Sequence, residues 1–294
     1  MHAVIECSVE PGYGLAMGVR RIVGVCATVA IVLSGCGTSA DQGPSEATSP
    51  DPVELIGAWQ VHEAPGEPEG SILQFDGNGY RLWRSCGYLM GGWAADRYGA
   101  FVSIGSGGSG ACRDEGTVSW LAAAASFQID GSRRWLLDQH EEPVALLIPG
   151  GRPAADPHAA ESLTESPVVT DQVREGLSGE PDLPTDVVPA KPNELLGRWY
   201  PSQEAAASST DSSFFEFHGD QVWEESNACG HIIGGRWNSR SDGSLVSVGG
   251  PVPLVVCLSE KPGISITSPT RAGFSGNTLI LMDRHGETVR LYRG

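Results

Sequence analysis

Basic residues are scarce in this chain: 19 lysines and arginines stand against 36 aspartates and glutamates, a formal net charge of −17 over 294 residues. A field of that sign repels phosphate backbones, which excludes nucleic acid as a partner. The usual marks of catalysis and metal binding are missing as well. No G-x-S-x-G elbow, H-E-x-x-H, i,i+4 histidine pair or C-x-x-C occurs, so no nucleophile, metal or cofactor motif nominates itself. Gly105, Gly107 and Gly110 satisfy G-x-G-x-x-G with Asp130 beyond them. Cys112 to Gly116, however, stand where a helix N-terminus would have to meet pyrophosphate, and the stretch reads as a loop. The adjacent carboxylates Glu141-Glu142 and Glu224-Glu225 would face opposite ways on a strand and cannot easily share a substrate. The expectation is a non-enzymatic protein without a cofactor.

Long apolar runs are absent but for one. Arg20 and Arg21 lead into Ile22 to Leu33, which closes on Leu33-Ser34-Gly35-Cys36. A basic start followed by so short a run is an export signal, because a helix crossing a ~30 Å hydrocarbon core needs about 20 apolar residues. The alternatives are a buried apolar helix, or a secretory signal with an incidental cysteine. The L-S-G-C stretch resembles the lipobox of bacterial lipoproteins. That resemblance implies a signal peptide over 1–35, cleaved before Cys36, whose diacylglyceryl group anchors the chain to the lipid bilayer on the extracytoplasmic face of the cell membrane. Glu6 and Glu10 put acid where such a signal wants base, which points to Met17 as the start. Residues 36–52 carry no apolar periodicity and read as a disordered tether.

The rest of the chain repeats itself. Glu54-Leu55-Ile56-Gly57-Ala58-Trp59 returns as Glu194-Leu195-Leu196-Gly197-Arg198-Trp199, and Phe75 with Gly77 as Phe217 with Gly219. Trp83 aligns with Trp223, Cys86-Gly87 with Cys229-Gly230, and Trp93 with Trp237. Val102-Ser103-Ile104 aligns with Val246-Ser247-Val248, and Cys112 with Cys257. The constant order and slowly drifting offset mark a duplicated domain, with copies over 53–149 and 193–294. Residues 150–192 between them hold seven prolines, eight acidic and three basic residues, and read as an acidic, solvated linker.

Copies of about 100 residues are marginal on burial alone. Of seven cysteines, Cys7 and Cys26 leave with the signal and Cys36 takes the lipid, leaving two per copy at nearly equal separations. In an oxidising compartment these pair as Cys86–Cys112 and Cys229–Cys257, the alternative being four buried thiols. Closing each loop is worth roughly 3–4 kcal/mol in the loop-entropy model.

Glycine-bearing turns at Asp76-Gly77, Asp130-Gly131, His218-Gly219 and His285-Gly286 punctuate short alternating segments such as Arg81–Arg84, Phe101–Ile104 and Arg134–Asp138. The expectation is mainly β: two tandem antiparallel barrels or rolled sheets of about eight short strands each, with one short helix, Thr117 to Ser126, in the first. In the second copy Pro262, Gly263, Ser268 and Pro269 replace that helix.

Each copy resembles a META (HslJ-like) domain. The resemblance rests on the opening L-x-G-x-W, a phenylalanine strand with its glycine, a cysteine before a glycine-rich turn, a V-S-I strand and a second cysteine. It implies an envelope-associated, non-enzymatic binding or maintenance role, with an envelope protein or a small hydrophobic ligand as partner. The same Gly-x-Trp is similar to lipocalin-like barrels, in which a late arginine packs over the tryptophan. Arg290 is placed to do so for Trp199, whereas the position aligned in the first copy is about Ala145. That alternative implies a carrier of small hydrophobic ligands. Trp120 and Trp135 belong to the first copy alone and are the candidates for a binding face. Two modules on a flexible linker also suit bivalent engagement of a partner.

Overall fold

The computed structural model describes residues 50–112, 117–154, 160–179, 181–208, 213–226, 231–251 and 269–294. The signal, Cys36, most of the tether, Cys229, Cys257 and the 262–268 stretch lie outside the described residues.

The fold is mainly β, in two antiparallel sheets of one plan. The first copy comprises β1 (Gly57–His62), β2 (Ile72–Asp76), β3 (Gly79–Arg84), β4 (Gly87–Ala95) and β5 (Phe101–Gly110). It continues with the helix α1 (Ser119–Ala123), β6 (Ser126–Asp130), β7 (Arg133–Leu137) and β8 (Pro143–Pro149). The linker holds a 3₁₀ turn at Glu161–Thr164, the helix α2 (Asp171–Ser178) and the short strand β9 (Val188–Pro189). The second copy comprises α3 (Pro192–Leu195), β10 (Gly197–Tyr200), α4 (Gln203–Ser208), β11 (Phe214–Phe217), β12 (Val222–Ser226), β13 (Ile232–Ser239), β14 (Leu245–Gly249), β15 (Pro269–Ser275), β16 (Thr278–Asp283) and β17 (Thr288–Arg293). Strand order runs β5-β4-β3-β2-β1-β8-β7-β6 in one sheet and β14-β13-β12-β11-β10-β17-β16-β15 in the other, with β9 added outside β15.

Both sheets roll up at the same seam. Phe127 N donates to Gly99 O at 2.8 Å in the first, and Ala272 N to Gly243 O at 2.8 Å in the second. Alternation places Leu73, Phe75, Leu82, Phe101, Phe127 and Leu136 inside the first barrel, where they fill it. Trp199, Phe215, Phe217, Trp223 and Leu279 do the same in the second. The helix α1 is shorter than expected, since only Trp120 and Leu121 turn inward before the chain extends at Ala124. Gly105, Gly107 and Gly110 lie in strand β5, not in a loop, and no helix opens there.

The strand registers correct one alignment. Phe75 faces Tyr80 across β2–β3, and Phe217 faces Trp223 across β11–β12, so the counterpart of Trp223 is Tyr80. Trp83 lies three residues further, on the outer face of its barrel, and is nevertheless 4% exposed.

A buried tryptophan is held alike in both copies. Trp59 Nε1 donates to Leu55 O and Trp199 Nε1 to Leu195 O, both at 2.7 Å. A guanidinium covers each ring: Arg134 lies 5.3 Å from Trp59 and Arg293 4.6 Å from Trp199. Arg293, not Arg290, is the late arginine. The first copy has the device too, supplied from β7 where the aligned sequence offers nothing. Arg134 also donates to Glu54 O, and Arg293 to Glu194 O and Leu196 O, which ties each ring to the turn before it.

The two barrels dock through equivalent strands: β4 packs on β14, β5 on β13, and β5 on β14. That is the contact pattern of an isologous pair, here within one chain. Ala94, Ala100 and Val102 form one apolar cluster with Val246 and Val248. A Cβ on Gly92 would stand 2.5 Å from Val248 Cγ2, so the approach depends on glycine there. Gly92→Val is expected to separate the barrels while leaving each folded. Calorimetry should then show one unfolding transition for the wild type and two for the variant; the same single transition in both would refute this account of the interface.

Candidate functional site

The interface is symmetric in backbone and asymmetric in chemistry. Gly92 pairs with Ile104 as Arg236 pairs with Val248, and Ala94 with Val102 as Asn238 with Val246. Where the first copy has small residues, the second reaches across: Arg236 donates to Ala122 O at 2.9 Å and Asn238 to Ala125 O at 2.7 Å. Burial pushes the Arg236 guanidinium below its ordinary value. The β4–β5 and β13–β14 turns share their hydrogen bonds, yet Asp96 occupies the position of Arg240. Burial raises the Asp96 carboxyl, opposed by hydrogen bonds from Ala100 and Tyr98 and by the charge of Arg240.

The linker is laid against both barrels instead of standing free. A Cβ on Gly151 would stand 3.2 Å from Gln60 Cγ, so the chain leaves the first barrel pressed against β1. Gln74, 1% exposed on the outer face of β2, accepts from Trp83 Nε1 at 2.7 Å and donates to Glu165 O at 2.9 Å. Thr170 caps α2, accepting from Val173 N at 3.2 Å. Val173 then seats over the turn after β2, where a Cβ on Gly77 would be 2.6 Å from Val173 Cγ2. Arg284, in the turn between β16 and β17, donates to Gly176 O. Further on, Leu183 and Pro189 pack on Gly243, and Ala190 N donates to Ala272 O at 3.0 Å. The linker thus bridges the two copies.

Beneath α2, between the barrels, lies a cleft of about 940 Å³. Its walls are apolar where Trp93, Ala95, Val248, Val173 and Leu177 line it. The rim is polar, with Asp76 and Asn78 in one turn, Arg284 and His285 in another, and Glu175 on the helix. Ser247 Oγ and Thr270 Oγ1, on lining residues, are buried without a hydrogen-bond partner. A sizeable concave space with few convergent polar groups suits binding. Among the described residues no group of His, Cys, Asp and Glu could hold a metal, and no helix is long and apolar enough to cross a membrane.

The residues singled out from sequence fall elsewhere. Cys86 and Cys112 form a disulfide with Cα atoms 5.2 Å apart. Trp120 is 4% exposed and turned into the first barrel, donating from Nε1 to Glu67 Oε2 at 2.8 Å, so it presents no surface. Arg84 grips the same carboxylate with two hydrogen bonds, at 2.8 and 2.7 Å. Burial alone would raise the Glu67 carboxyl, but its bonds from Arg84, Ser71 and Trp120 hold it below the usual range. Trp135 is half-buried on β7. The buried outer-face tryptophan is Trp83, and its signal is Gln74, an amide on β2 between the core positions Leu73 and Phe75. No family model, curated protein or solved structure matches the chain.

One titratable group stands out from its counterpart. Register places Glu225 where the first copy has the fully buried Leu82. Desolvation pushes its carboxyl up to about 7. A group raised on folding contributes stability that is complete below its ordinary 4.5 and is lost as pH rises through about 7. Glu225→Gln removes that dependence. In urea titrations the wild type should lose on the order of 1 kcal/mol relative to the variant between pH 4.5 and 8, the carboxyl being only half-buried. Parallel pH profiles would contradict it.

Proposed function

We propose that this is a lipid-anchored, extracytoplasmic binding protein whose binding site is the cleft between two META-like barrels, with no catalytic role. The observation that carries this reading is the placement of space. Large side chains fill the described interior of each barrel, while the concave volume lies between them under α2. Docking of the copies and the bridging linker argue against two modules acting bivalently at independent positions, and for one composite unit.

The carrier reading has one observation in its favour, the arginine-covered tryptophan tied to the preceding turn in both copies. That device supports likeness of architecture. It does not supply a cavity for a ligand inside the barrel, because Phe75, Phe101 and Phe127 are fully buried there.

Two measurements test the proposal. Mass analysis of the N-terminal peptide from native membranes should return diacylated Cys36; an unmodified terminus retaining residues upstream of Cys36 would remove the anchor. Titration with the apolar fluorophore 1-anilinonaphthalene-8-sulfonate should saturate at one per chain, and Leu177→Trp, which fills the cleft from α2, should weaken it at least tenfold. Binding untouched by Leu177→Trp would favour the carrier, and no binding by the folded chain would refute both readings.

A further inference from the structure

Resting on the cleft as the binding site, we infer that its ligand is a protein segment, entering extended and continuing as a short amphipathic helix, and that residues 160–179 of the linker hold its place. The contacts that seat the linker are those by which a peptide from another chain would be recognised. Gln74 is a built receptor group: nearly fully buried, oriented by Trp83, and directed at a backbone carbonyl, that of Glu165. Arg284 likewise takes the carbonyl of Gly176. Both contacts read peptide backbone and no particular side chain. The apolar anchors are Val173, in a notch that exists because Gly77 has no side chain, and Leu177, half-buried against the cleft.

The linker fits this groove incompletely. No residue of α2 is buried. Val168 is 72% and Val169 39% exposed beside the cleft, and about 940 Å³ remains open beneath the helix. A segment held by two carbonyl hydrogen bonds, a buried Thr164 and two half-buried apolar side chains, with Val168 and Val169 left in water, is an occupant that a better-filling segment displaces. The receptor groups come from both barrels, Gln74 and Gly77 from the first and Arg284 from the second. The groove therefore exists only while the copies are docked.

The test uses the full chain with a fluorescein-labelled peptide of residues 160–179 as probe. Val173→Asp removes the anchor in the Gly77 notch and opens the groove. Gly77→Cys with Val173→Cys closes it, the two Cβ positions lying 3.6 Å apart, within disulfide reach. Fluorescence anisotropy should show one peptide bound per Val173→Asp chain, at least tenfold tighter than to wild type, and none bound to the cross-linked protein. Hydrogen exchange on the wild type should show α2 amides far less protected than those of β2.

Equal protection of α2 and β2 would mean that the strap does not exchange, and would overturn the inference whatever the variants do. So would a folded, opened chain that ignores the peptide. If that chain still binds the apolar fluorophore in a manner sensitive to Leu177→Trp, the cleft reading stands and only its peptide ligand falls. Wild-type protein that dimerises with rising concentration would assign the groove to a second copy's linker and overturn the partner reading.

Discussion

The close packing of β4 and β5 on β14, with Gly92 of β4 admitting Val248 and Val102 of β5 meeting Val246, is the constraint on which the rest depends. Without it each copy is a small barrel with a filled interior and no concave surface shared with the other. With it, the β2–β3 turn of one barrel and the β16–β17 turn of the other are held on opposite sides of one cleft, within reach of a single helix. Interfaces between domains of one chain usually permit relative motion. Here the linker adds contacts to both sides, so docking and strap reinforce each other.

Duplication explains the symmetry of this contact and divergence explains its fixity. An isologous pair matches a patch to itself, which makes separate copies free to pair with one another. At equivalent positions this chain sets Gly92 against Arg236, Ala94 against Asn238 and Asp96 against Arg240. Two of the larger side chains cross to carbonyls of the other barrel. A pair of first copies would lack those donors. A pair of second copies would set Arg236 where Gly92 lets the strands approach. The heterotypic pair is the one that packs, which suits a tandem chain.

Much of the fold was legible because the features that defined it repeat: the glycine-bearing turns, the alternating strands, the paired tryptophans of the two cores. The Cys86–Cys112 pair was legible for the same reason. What failed did so for physical causes. Trp83 was aligned with Trp223 because like residues attract an alignment, whereas strand register moves a side chain between faces with every step of one. The arginine over Trp59 could not be found by repetition, since Arg134 comes from β7 and its functional twin Arg293 from β17. Composition marked the linker as solvated, yet what holds it is written in other residues: a glutamine amide, an absent side chain at Gly77, and an arginine that meets backbone.

A groove that reads carbonyl groups leaves almost no trace in its ligand's sequence, and its own trace is a buried amide on an otherwise outward strand position. Gln74 would cost stability if its amide were unmatched; Trp83 satisfies its oxygen and Glu165 its nitrogen. The corresponding position of the second copy is Glu216, a carboxylate that accepts from Arg198 of the same sheet and has no N–H to offer a carbonyl. The two copies therefore differ where peptide recognition resides. The first presents the amide and the glycine notch, and the second contributes the clamp at Arg284 and the rigid partner against which the first is held.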